Sequence, residues 1–401
     1  MSYIENLLQG AEIEWKPLGD VAELKRGTSI TKKTSTEGKY PVISGGQQPA
    51  YYIDTFNRDG ETITVAGSGA YAGFVMFWNE PIFVSDAFSI KADEKQILSR
   101  YIYHFLLNIQ EKIHDLKAGG GVPHVYAKDV ARFLVPIPCP DNPTKSLEIQ
   151  RKIVEILDKF TTLEAELEAE LDCRRRQYEY YRNQLLSFDM LNRGGQRLNN
   201  IKIMSLGELG TFTRGSGLQK KDFTPTGIGC IHYGQIYTYY GTYAYKTKSF
   251  VSQEFAQKAR KAKNGDLIIA TTSENDEDVC KAVAWLGDEE IAVSSDACFY
   301  AHTMNPKYVA YYFQTEQFQK QKRCFITGTK VRRVNSNDLA KIKIPVPPLS
   351  EQERIVSILD KFDTLTNSIS EGLPKEIELR RKQYEYYRNQ LLSFPEYKAT
   401  A

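Results

Sequence analysis

The sequence predicts a mixed α/β protein in which two related α/β domains are separated by an antiparallel pair of long, coiled-coil-like helices with approximate two-fold symmetry. Three observations predict this fold class: a tandem repeat that spans the chain, an apolar helical seam in each copy, and short strand-like runs elsewhere. The chain has 401 residues, too many for one ordinary core, and its 41% of hydrophobic residues is enough for two.

The tandem repeat is clearest in two strings. RRQYEYYRNQLLSF at 175–188 returns as RKQYEYYRNQLLSF at 381–394, and ILDKF at 156–160 returns at 358–362. The globular parts repeat more faintly, as in VYAKDVARFLVPIP and VNSNDLAKIKIPVP. The predicted order is therefore a first domain at 1–146, a helical region at 147–198, a second domain at 199–346 and a helical region at 347–401.

The two helical regions are near-identical whereas the two domains differ. We infer that both helices dock onto the same kind of partner surface, while the domains recognise different targets. Chance retention of the helical sequence after a duplication is the alternative.

Each helical region carries apolar and aromatic residues at steps of three and four, from Ile153 to Phe188 and from Ile355 to Phe394. Such a seam extends over about 40 residues, or roughly 60 Å of straight helix. Gly372-Leu373-Pro374 should break or kink the second seam. Because neither seam can stay exposed to water, we expect the two helices to pair in antiparallel fashion, with the domains at opposite ends.

The domains contain short apolar runs that are typical of strands, together with helical patches and Gly-rich loops. The strand-like runs are Glu61–Gly67, Phe74–Trp78, Asp266–Thr272 and Lys281–Leu286, and the helical patches are Leu98–Leu116 and Lys307–Lys322. Loops on such a scaffold are where function is expected.

No catalytic constellation is recognisable. The sequence has no G-x-x-x-x-G-K-[ST] phosphate loop and no N-P-P-[YF] or D-P-P-[YF] string. GSGAYAG at 67–73 lies between two strand-like runs, which indicates a hairpin turn and not a dinucleotide loop. The six cysteines form no C-x-x-C pair, so we expect reduced thiols and no bound metal. No apolar run of about 18 residues and no leader-like start is present, which favours a soluble, cytoplasmic protein.

The loops nevertheless carry amides, hydroxyls, tyrosines and basic pairs that could contact DNA, although the net charge is only +2 and only residues 199–346 are basic. The lysine pairs could instead be plain surface charge, and the amides could cap turns. The candidate DNA-binding residues of the first domain are Lys32, Lys33, Gln47, Gln48, Ser68, Tyr71, His124, Tyr126 and Lys128. Those of the second domain are Lys220, Lys221, His232, Tyr233, Gln235, Lys330, Arg332, Arg333 and Asn335. Tyr180, Tyr181, Tyr386 and Tyr387 are predicted to face a protein partner.

Taken together, the doubled ILDKF and QYEYYRNQLLSF strings, the L-G pair near each domain start and the I-P-x-P exit before each helix resemble the specificity subunits of type I restriction-modification systems. The resemblance covers essentially the whole chain. It implies a non-catalytic subunit whose two target-recognition domains each read one half of a bipartite double-stranded DNA sequence. It also implies assembly with two adenine methyltransferase subunits and with restriction/translocase subunits, and no membrane association. S-adenosylmethionine, Mg²⁺ and ATP would belong to those partners.

Two adjacent copies of EAEL, at 164–167 and 168–171, resemble the spacer-setting repeats of some family members. Two other classes of function stay open at this point. One is a scaffold whose domains bind protein, and the other is a free-standing DNA-modifying enzyme with an unrecognised site.

Overall fold

The computed structural model describes residues 12–193 and 201–394. The chain forms two compact units, the first made of Met1–Glu168 with Glu376–Ala401 and the second of Ala169–Lys375. Each unit contains one globular domain together with part of each helical region. The mixed α/β class, with two domains and a long helix between them in sequence, is confirmed.

The first domain alternates short strands with short helices. Its elements are β1 (Ile13–Pro17), α1 (Leu18–Val21), β2 (Ala22–Arg26), a 3₁₀ turn (Lys32–Thr34), β3 (Glu37–Ile43), β4 (Tyr52–Ile53), β5 (Glu61–Ala66), β6 (Val75–Asn79), β7 (Phe83–Val84), β8 (Ala87–Ala92), α2 (Ser99–Asn108), α3 (Gln110–Asp115), α4 (Ala127–Val130) and β9 (Leu134–Pro138). The strand order is β2-β8-β5-β6 in one sheet, β4-β3-β7 in a second and β1-β9 in a third. Ile63, Ile90, Tyr101 and Leu106 are fully buried in the core that α2 covers.

One long helix, α5 (Pro143–Leu185), follows the first domain, and a short helix, α6 (Phe188–Arg193), comes after it. The predicted seam from Ile153 to Phe188 extends beyond the end of the long helix, because Phe188 is the first residue of α6. The main helix ends at Leu185, and Leu191 N–H bonds Ser187 O at 3.1 Å in the next helical turn.

The second domain repeats the plan of the first and adds a sheet. Its elements are β10 (Lys202–Ser205), α7 (Leu206–Leu209), β11 (Gly210–Arg214), a 3₁₀ turn (Lys220–Asp222), β12 (Phe223–Thr224), β13 (Ile228–Ile231), α8 (Tyr233–Thr238), β14 (Tyr243–Ala244), β15 (Ser249–Val251), α9 (Gln253–Lys258), β16 (Lys261–Ala262), β17 (Leu267–Ala270), β18 (Thr272–Ser273), β19 (Ala282–Trp285), β20 (Ile291–Val293), β21 (Ala297–His302), α10 (Pro306–Tyr312), α11 (Glu316–Arg323), β22 (Arg332–Arg333), α12 (Ser336–Leu339) and β23 (Lys343–Val346). The strand orders are β11-β21-β17-β19-β14, β12-β15-β13-β20-β16, β18-β22 and β10-β23.

The last helical region consists of α13 (Leu349–Asn367) and α14 (Leu373–Leu392). The break predicted at Gly372-Leu373-Pro374 is confirmed, since Gly372 adopts a φ of +84°. Ile369 lies within the predicted seam from Ile355 to Phe394, but it is 83% exposed because it lies in this turn. The predicted patches Leu98–Leu116 and Lys307–Lys322 are each split into two helices.

A buried glutamine attaches each long helix to its domain. In the first unit, Gln150 Oε1 accepts a hydrogen bond from Leu98 N at 3.0 Å. In the second, Gln352 Oε1 accepts from Asn305 N at 2.9 Å. Leu98 and Asn305 each precede the first residue of a helix, α2 and α10 respectively, so the glutamine completes the hydrogen bonding of that helix start.

Within the first unit, α5 and α14 run antiparallel. The Phe160 ring stacks on Tyr387 with centroids 5.2 Å apart, and Arg381 bonds both Glu164 and Glu168. Residue numbers therefore rise along α5 as they fall along α14. The second unit contains the corresponding stack between Tyr181 and Phe362, at 5.6 Å.

All six cysteines are free thiols, as expected. Over the described ranges, no helix is long and apolar enough to cross a membrane.

Candidate nucleic-acid interface

Three loops of the first domain meet at one edge. Val125 N donates to Gly67 O at 3.1 Å, and Gly69 N donates to Pro123 O at 3.0 Å. The loop at 44–50 adjoins them, because a Cβ built on Gly45 would lie 2.4 Å from Ser68 O. The sequence-predicted residues at 47–48, 68–71 and 124–128 are thus carried by loops that touch and, for Lys128, by the start of α4.

The loop at 118–126, which leads into α4, closes on itself as a tight turn. Ala118 and His124 exchange two backbone hydrogen bonds, at 3.0 and 2.9 Å, and Gly119 has a φ of +116°. A glycine is needed there because a Cβ would also approach Val122 O to 2.9 Å. The hydrogen bonds of this turn fix the position of the residues that follow it, from His124 onward.

Beyond that turn, His124 and Tyr126 stack with centroids 6.1 Å apart and rings 16° from parallel. The Lys128 ammonium lies 5.6 Å from the Tyr126 ring, and Tyr126 is 47% exposed. Ser68 is engaged internally, since its hydroxyl donates to Asp86 Oδ2. Tyr71, Gln47 and Gln48 are exposed on the neighbouring loops. An exposed aromatic ring with an adjacent cation can contact a base or a sugar-phosphate backbone.

The second domain builds the same backbone arrangement. Val334 N donates to Thr271 O at 3.1 Å, as Val125 does to Gly67. Thr327 and Arg333 exchange two backbone bonds of 2.9 Å around Gly328, whose φ is +89°. By these bonds Arg333 corresponds to His124, and Asn335 corresponds to Tyr126.

Some side chains at this second edge are hydrogen-bonded within the domain, whereas others are exposed. Arg332 is held internally, because its Nε bonds Asp276 Oδ1 at 2.8 Å and its guanidinium donates to Gly328 O at 2.6 Å. Asn335 caps α12, with its Oδ1 accepting from Asp338 N at 2.9 Å. Lys330 and Arg333 are exposed. Of the four predicted residues on this loop, these two are the available cations.

His232, Tyr233 and Gln235 surround the start of α8. His232 Nδ1 accepts from Gly234 N at 3.2 Å, and burial lowers the pKa of His232 below its usual value, with a further contribution from Lys220. Gln235 Oε1 accepts from His232 N at 3.0 Å while its Nε2 donates to Ser249 at 2.6 Å. The turn-capping alternative therefore describes Gln235. Both the oxygen and the nitrogen of its amide are bonded within the domain, so the amide cannot form two hydrogen bonds to a base in this structure.

Tyr233 lines a cleft of about 450 Å³ between α8 and the β18/β22 edge. Tyr237, on the same helix, donates its hydroxyl hydrogen to Thr272 O at 2.7 Å, which ties α8 to that edge. The start of α8 and the Lys330–Arg333 loop are therefore neighbours within the second domain.

The predicted lysine pairs occupy equivalent 3₁₀ turns. Lys32 and Lys33 lie in the turn after β2, Lys220 and Lys221 lie in the turn after β11, and all four are exposed. Side-chain bonds within each turn hold its shape, as between Thr31 and Thr34 at 3.0 Å. Neither pair is brought against the Gly-turn loops by a bond among the described residues.

Sequence reasoning missed Arg26 and Arg214, which end β2 and β11 at equivalent places. Arg26 lines a small pocket with Asp86, His124 and Tyr126. Arg214 Nε donates to Ser295 O at 3.0 Å. An Arg-Gly pair recurs at the same place in both repeats, and this recurrence could have identified the two arginines from the sequence.

The tyrosines of the repeated helical string divide into buried and exposed sets. Tyr384 is buried in the first unit, with its hydroxyl 2.8 Å from His104 Nδ1. Tyr181 and Tyr387 are 40% and 41% exposed because each stacks on a phenylalanine of the other helical region. Tyr180 and Tyr386 are each 60% exposed. Of the predicted partner-facing residues, these last two present most of their rings to solvent.

No group of three or more histidine, cysteine or acidic side chains over residues 12–193 and 201–394 could hold a metal ion.

Comparison with known proteins gives a consistent result. The family model for the type I restriction modification DNA specificity domain matches residues 11–172 and 199–379. A type I restriction enzyme specificity subunit from Escherichia coli is 34% identical over 98% of both chains. A putative type I restriction enzyme specificity subunit from Haemophilus influenzae is 30% identical over 98% of both chains.

Two solved structures share the fold. One is a type I restriction-modification S subunit from M. genitalium, with a TM-score of 0.57 and 17% identity, covering 96% of this chain and 98% of that one. The other was solved in work on complex assembly and conformational transition of the type I R-M system, with a TM-score of 0.60 and 14% identity, covering 95% and 97%.

Proposed function

Because the chain belongs to the family of type I restriction-modification DNA specificity subunits, we propose that each of its two globular domains reads one half of a bipartite DNA target. The observation that carries this proposal is a repeated scaffold with different side chains. The bond from Val125 to Gly67 and the bond from Val334 to Thr271 set up the same loop edge in each domain. His124 and Tyr126 in the first domain are replaced by Arg333 and Asn335 in the second.

Such an edge supplies two kinds of contact. Exposed cations such as Lys128, Lys330 and Arg333 would neutralise phosphates or, in the case of Arg333, pair with a guanine edge. Tyr126 would pack on a base or sugar. Arg332 and Asn335, whose polar groups are engaged internally, would support the loop more than touch DNA. The lysine pairs at 32–33 and 220–221 would add phosphate contacts at the periphery.

The chain acts in this proposal as a non-catalytic part of a larger cytoplasmic complex. Two methyltransferase subunits would dock on the exposed tyrosines of the helical regions, and restriction/translocase subunits would join them. S-adenosylmethionine, Mg²⁺ and ATP would be bound by those partners. Incubating the chain alone with DNA, Mg²⁺ and S-adenosylmethionine should leave the DNA unmodified, and any modification would favour the free-standing enzyme.

A gel-shift series tests the DNA contact. The chain, assembled with its methyltransferase partner, is titrated onto target DNA at several salt concentrations. Lys128→Gln should weaken binding across sequences and lower the slope of log affinity against log salt by about 1, because one phosphate contact is lost.

Lys91→Gln is the matched control, since Lys91 is exposed in the same domain but lies on β8, away from the loop edge. It should leave the slope unchanged. A complex that gives no sequence-specific, salt-sensitive shift would support the protein-binding scaffold instead.

A further inference from the structure

The turn between α13 and α14 folds back on the end of α13. A Cβ built on Gly372 would lie 2.4 Å from Thr364 O and 2.8 Å from Leu365 O, so the backbone at 372 folds back against residues eight and seven positions earlier. Eight residues in extended form would span about 26–29 Å. The first three of these eight steps are the end of α13, and the other five fold back against it.

Weak local bonds hold the turn closed. Ser368 N donates to Thr364 O at 3.3 Å, and Glu371 N donates to the Ser368 hydroxyl oxygen at 3.2 Å. The side chain of Ile369 is 83% exposed, so no apolar contact anchors the turn at that point. The positive φ of Gly372 is the main conformational requirement.

The two ring stacks allow the number of residues between them to be compared along α5 and along the α13–α14 connection. In the first unit Phe160 stacks on Tyr387, and in the second Tyr181 stacks on Phe362. Along α5, 21 residue steps separate Phe160 from Tyr181, all helical. From Phe362 to Tyr387 there are 25 steps, and only 19 of these are helical. The six steps from Asn367 to Leu373 make up the difference.

Both EAEL copies lie inside the 21-residue stretch of α5. One more copy would lengthen that stretch by about 6 Å and rotate the helix beyond the insertion by about 40°. If the second connection could not lengthen as well, one of the two stacks would have to break. Six residue steps can extend to about 20 Å, which is enough for one or two added copies.

We propose that the turn at 368–372 is a length reserve, which opens when EAEL copies are added to α5 and so keeps the helix contacts of both units intact. The reserve works in one direction, because Gly372 is already in contact with Thr364 and cannot close further. Removing one copy would leave 17 helical steps in α5 against 19 in the second connection, so a helix end must then unwind. The link to spacer length rests on the proposed function, but the opening of the turn does not.

Hydrogen exchange measured by mass spectrometry on the full chain tests the proposal. In a variant with one EAEL inserted after Leu171, peptides covering 364–373 should exchange at least about tenfold faster than in the wild type. Peptides covering 380–392 should keep their protection. Unchanged exchange in the turn, with lost protection around Tyr384, would overturn the proposal.

A second measurement uses Gly372→Ala in both backgrounds. In the wild type the added Cβ meets Thr364 O, so the midpoint of thermal unfolding should fall by roughly 3 °C or more. In the insertion variant the turn is already open, and the shift should be less than a third as large. Gly217→Ala is the control, because nothing lies within 4 Å of its Cβ position, and its small effect should be the same in both backgrounds. Equal shifts for Gly372→Ala in the two backgrounds would refute the length reserve.

Mapping of methylated adenines separates this inference from the proposed function. An insertion variant that opens the turn but methylates the same motif supports the reserve and contradicts the role of α5 in setting the spacer. A longer spacer with a closed, protected turn supports the role of α5 and contradicts the reserve.

Discussion

At the scale of single residues, His302 makes the stability of the second domain depend on pH. Burial lowers the pKa of His302 to about 4, against an ordinary value near 6.5. Its ring lies 4.9 Å from that of Tyr300 at the end of β21. The folded protein therefore keeps this side chain neutral where the unfolded chain would protonate it.

The direction of the change in stability with pH follows from the different protonation of His302 in the folded and unfolded states. Between pH 6.5 and pH 4 the unfolded chain binds more protons at this position, so stability falls as the pH falls through that window. His302→Phe keeps an aromatic ring and removes the titration. The loss of unfolding free energy on going from pH 7 to pH 5 should be smaller in the variant by about 2 kcal/mol.

Urea unfolding at the two pH values, monitored by a probe in the second unit, measures this difference. Parallel losses in the wild type and the variant would show that His302 does not titrate as its burial indicates.

The roles of individual polar residues were the hardest to predict from sequence. Gln235 was selected because its amide could contact DNA, and Asn335 because it lies in the basic loop at 330–335, but both serve as local helix caps. Residue type gives the hydrogen-bonding capacity, whereas orientation depends on partners that are distant in sequence, such as Ser249 for Gln235. Only a repeated position, such as the Arg-Gly pair, carried a signal that sequence alone could have used.

At the scale of elements, the length of α5 is the feature with the most direct consequence. Deleting Glu168–Leu171 removes four helical residues, or about 6 Å, which is less than two base pairs of rise at 3.4 Å. The recognised spacer should shorten, and stability should fall because the turn at 368–372 cannot close further. Mapping methylated adenines in a strain carrying the deletion measures the first effect, and an unchanged motif would contradict it.

Element types were predicted more reliably than their boundaries. The steps of three and four in α5 and the strand-like runs at β5 and β17 were recognised from periodicity. The division between α2 and α3 was not, because Ile109 leaves the regular helical conformation, with a φ of −107° and a ψ of 20°, without any glycine or proline to signal it. In the second domain the boundary between α10 and α11 lies at Thr315, whose hydroxyl oxygen accepts a bond from Phe318 N at 3.2 Å and so caps α11.

At the scale of the whole molecule, the tandem repeat is also a repeat of contacts. Asp158 is bonded by Arg100 and His104 in the first unit, and Asp360 is bonded by Lys307 and Tyr311 in the second. The near-identity of the helical strings thus has an internal cause, since their buried residues serve the same packing in each unit. The exposed Tyr180 and Tyr386 are not explained by that packing.

Under the proposed function, docking of a methyltransferase subunit would account for the exposure of Tyr180 and Tyr386. Tyr180→Ser combined with Tyr386→Ser should reduce co-purification of the methyltransferase subunit at least tenfold while the chain stays folded. Tyr245→Ser is the control, because Tyr245 is 59% exposed in the second domain and should have no effect. Retention of the methyltransferase by the double variant would place docking elsewhere.

The buried glutamines Gln150 and Gln352 set an order of events during synthesis. Leu98 receives its hydrogen-bond acceptor from a residue 52 positions later, and Asn305 from one 47 positions later. Each domain therefore leaves the ribosome with the start of one helix unfinished. It reaches its final state only after the first turns of the following long helix have emerged, so translation pauses before residue 150 or residue 352 would hold a nascent domain short of completion.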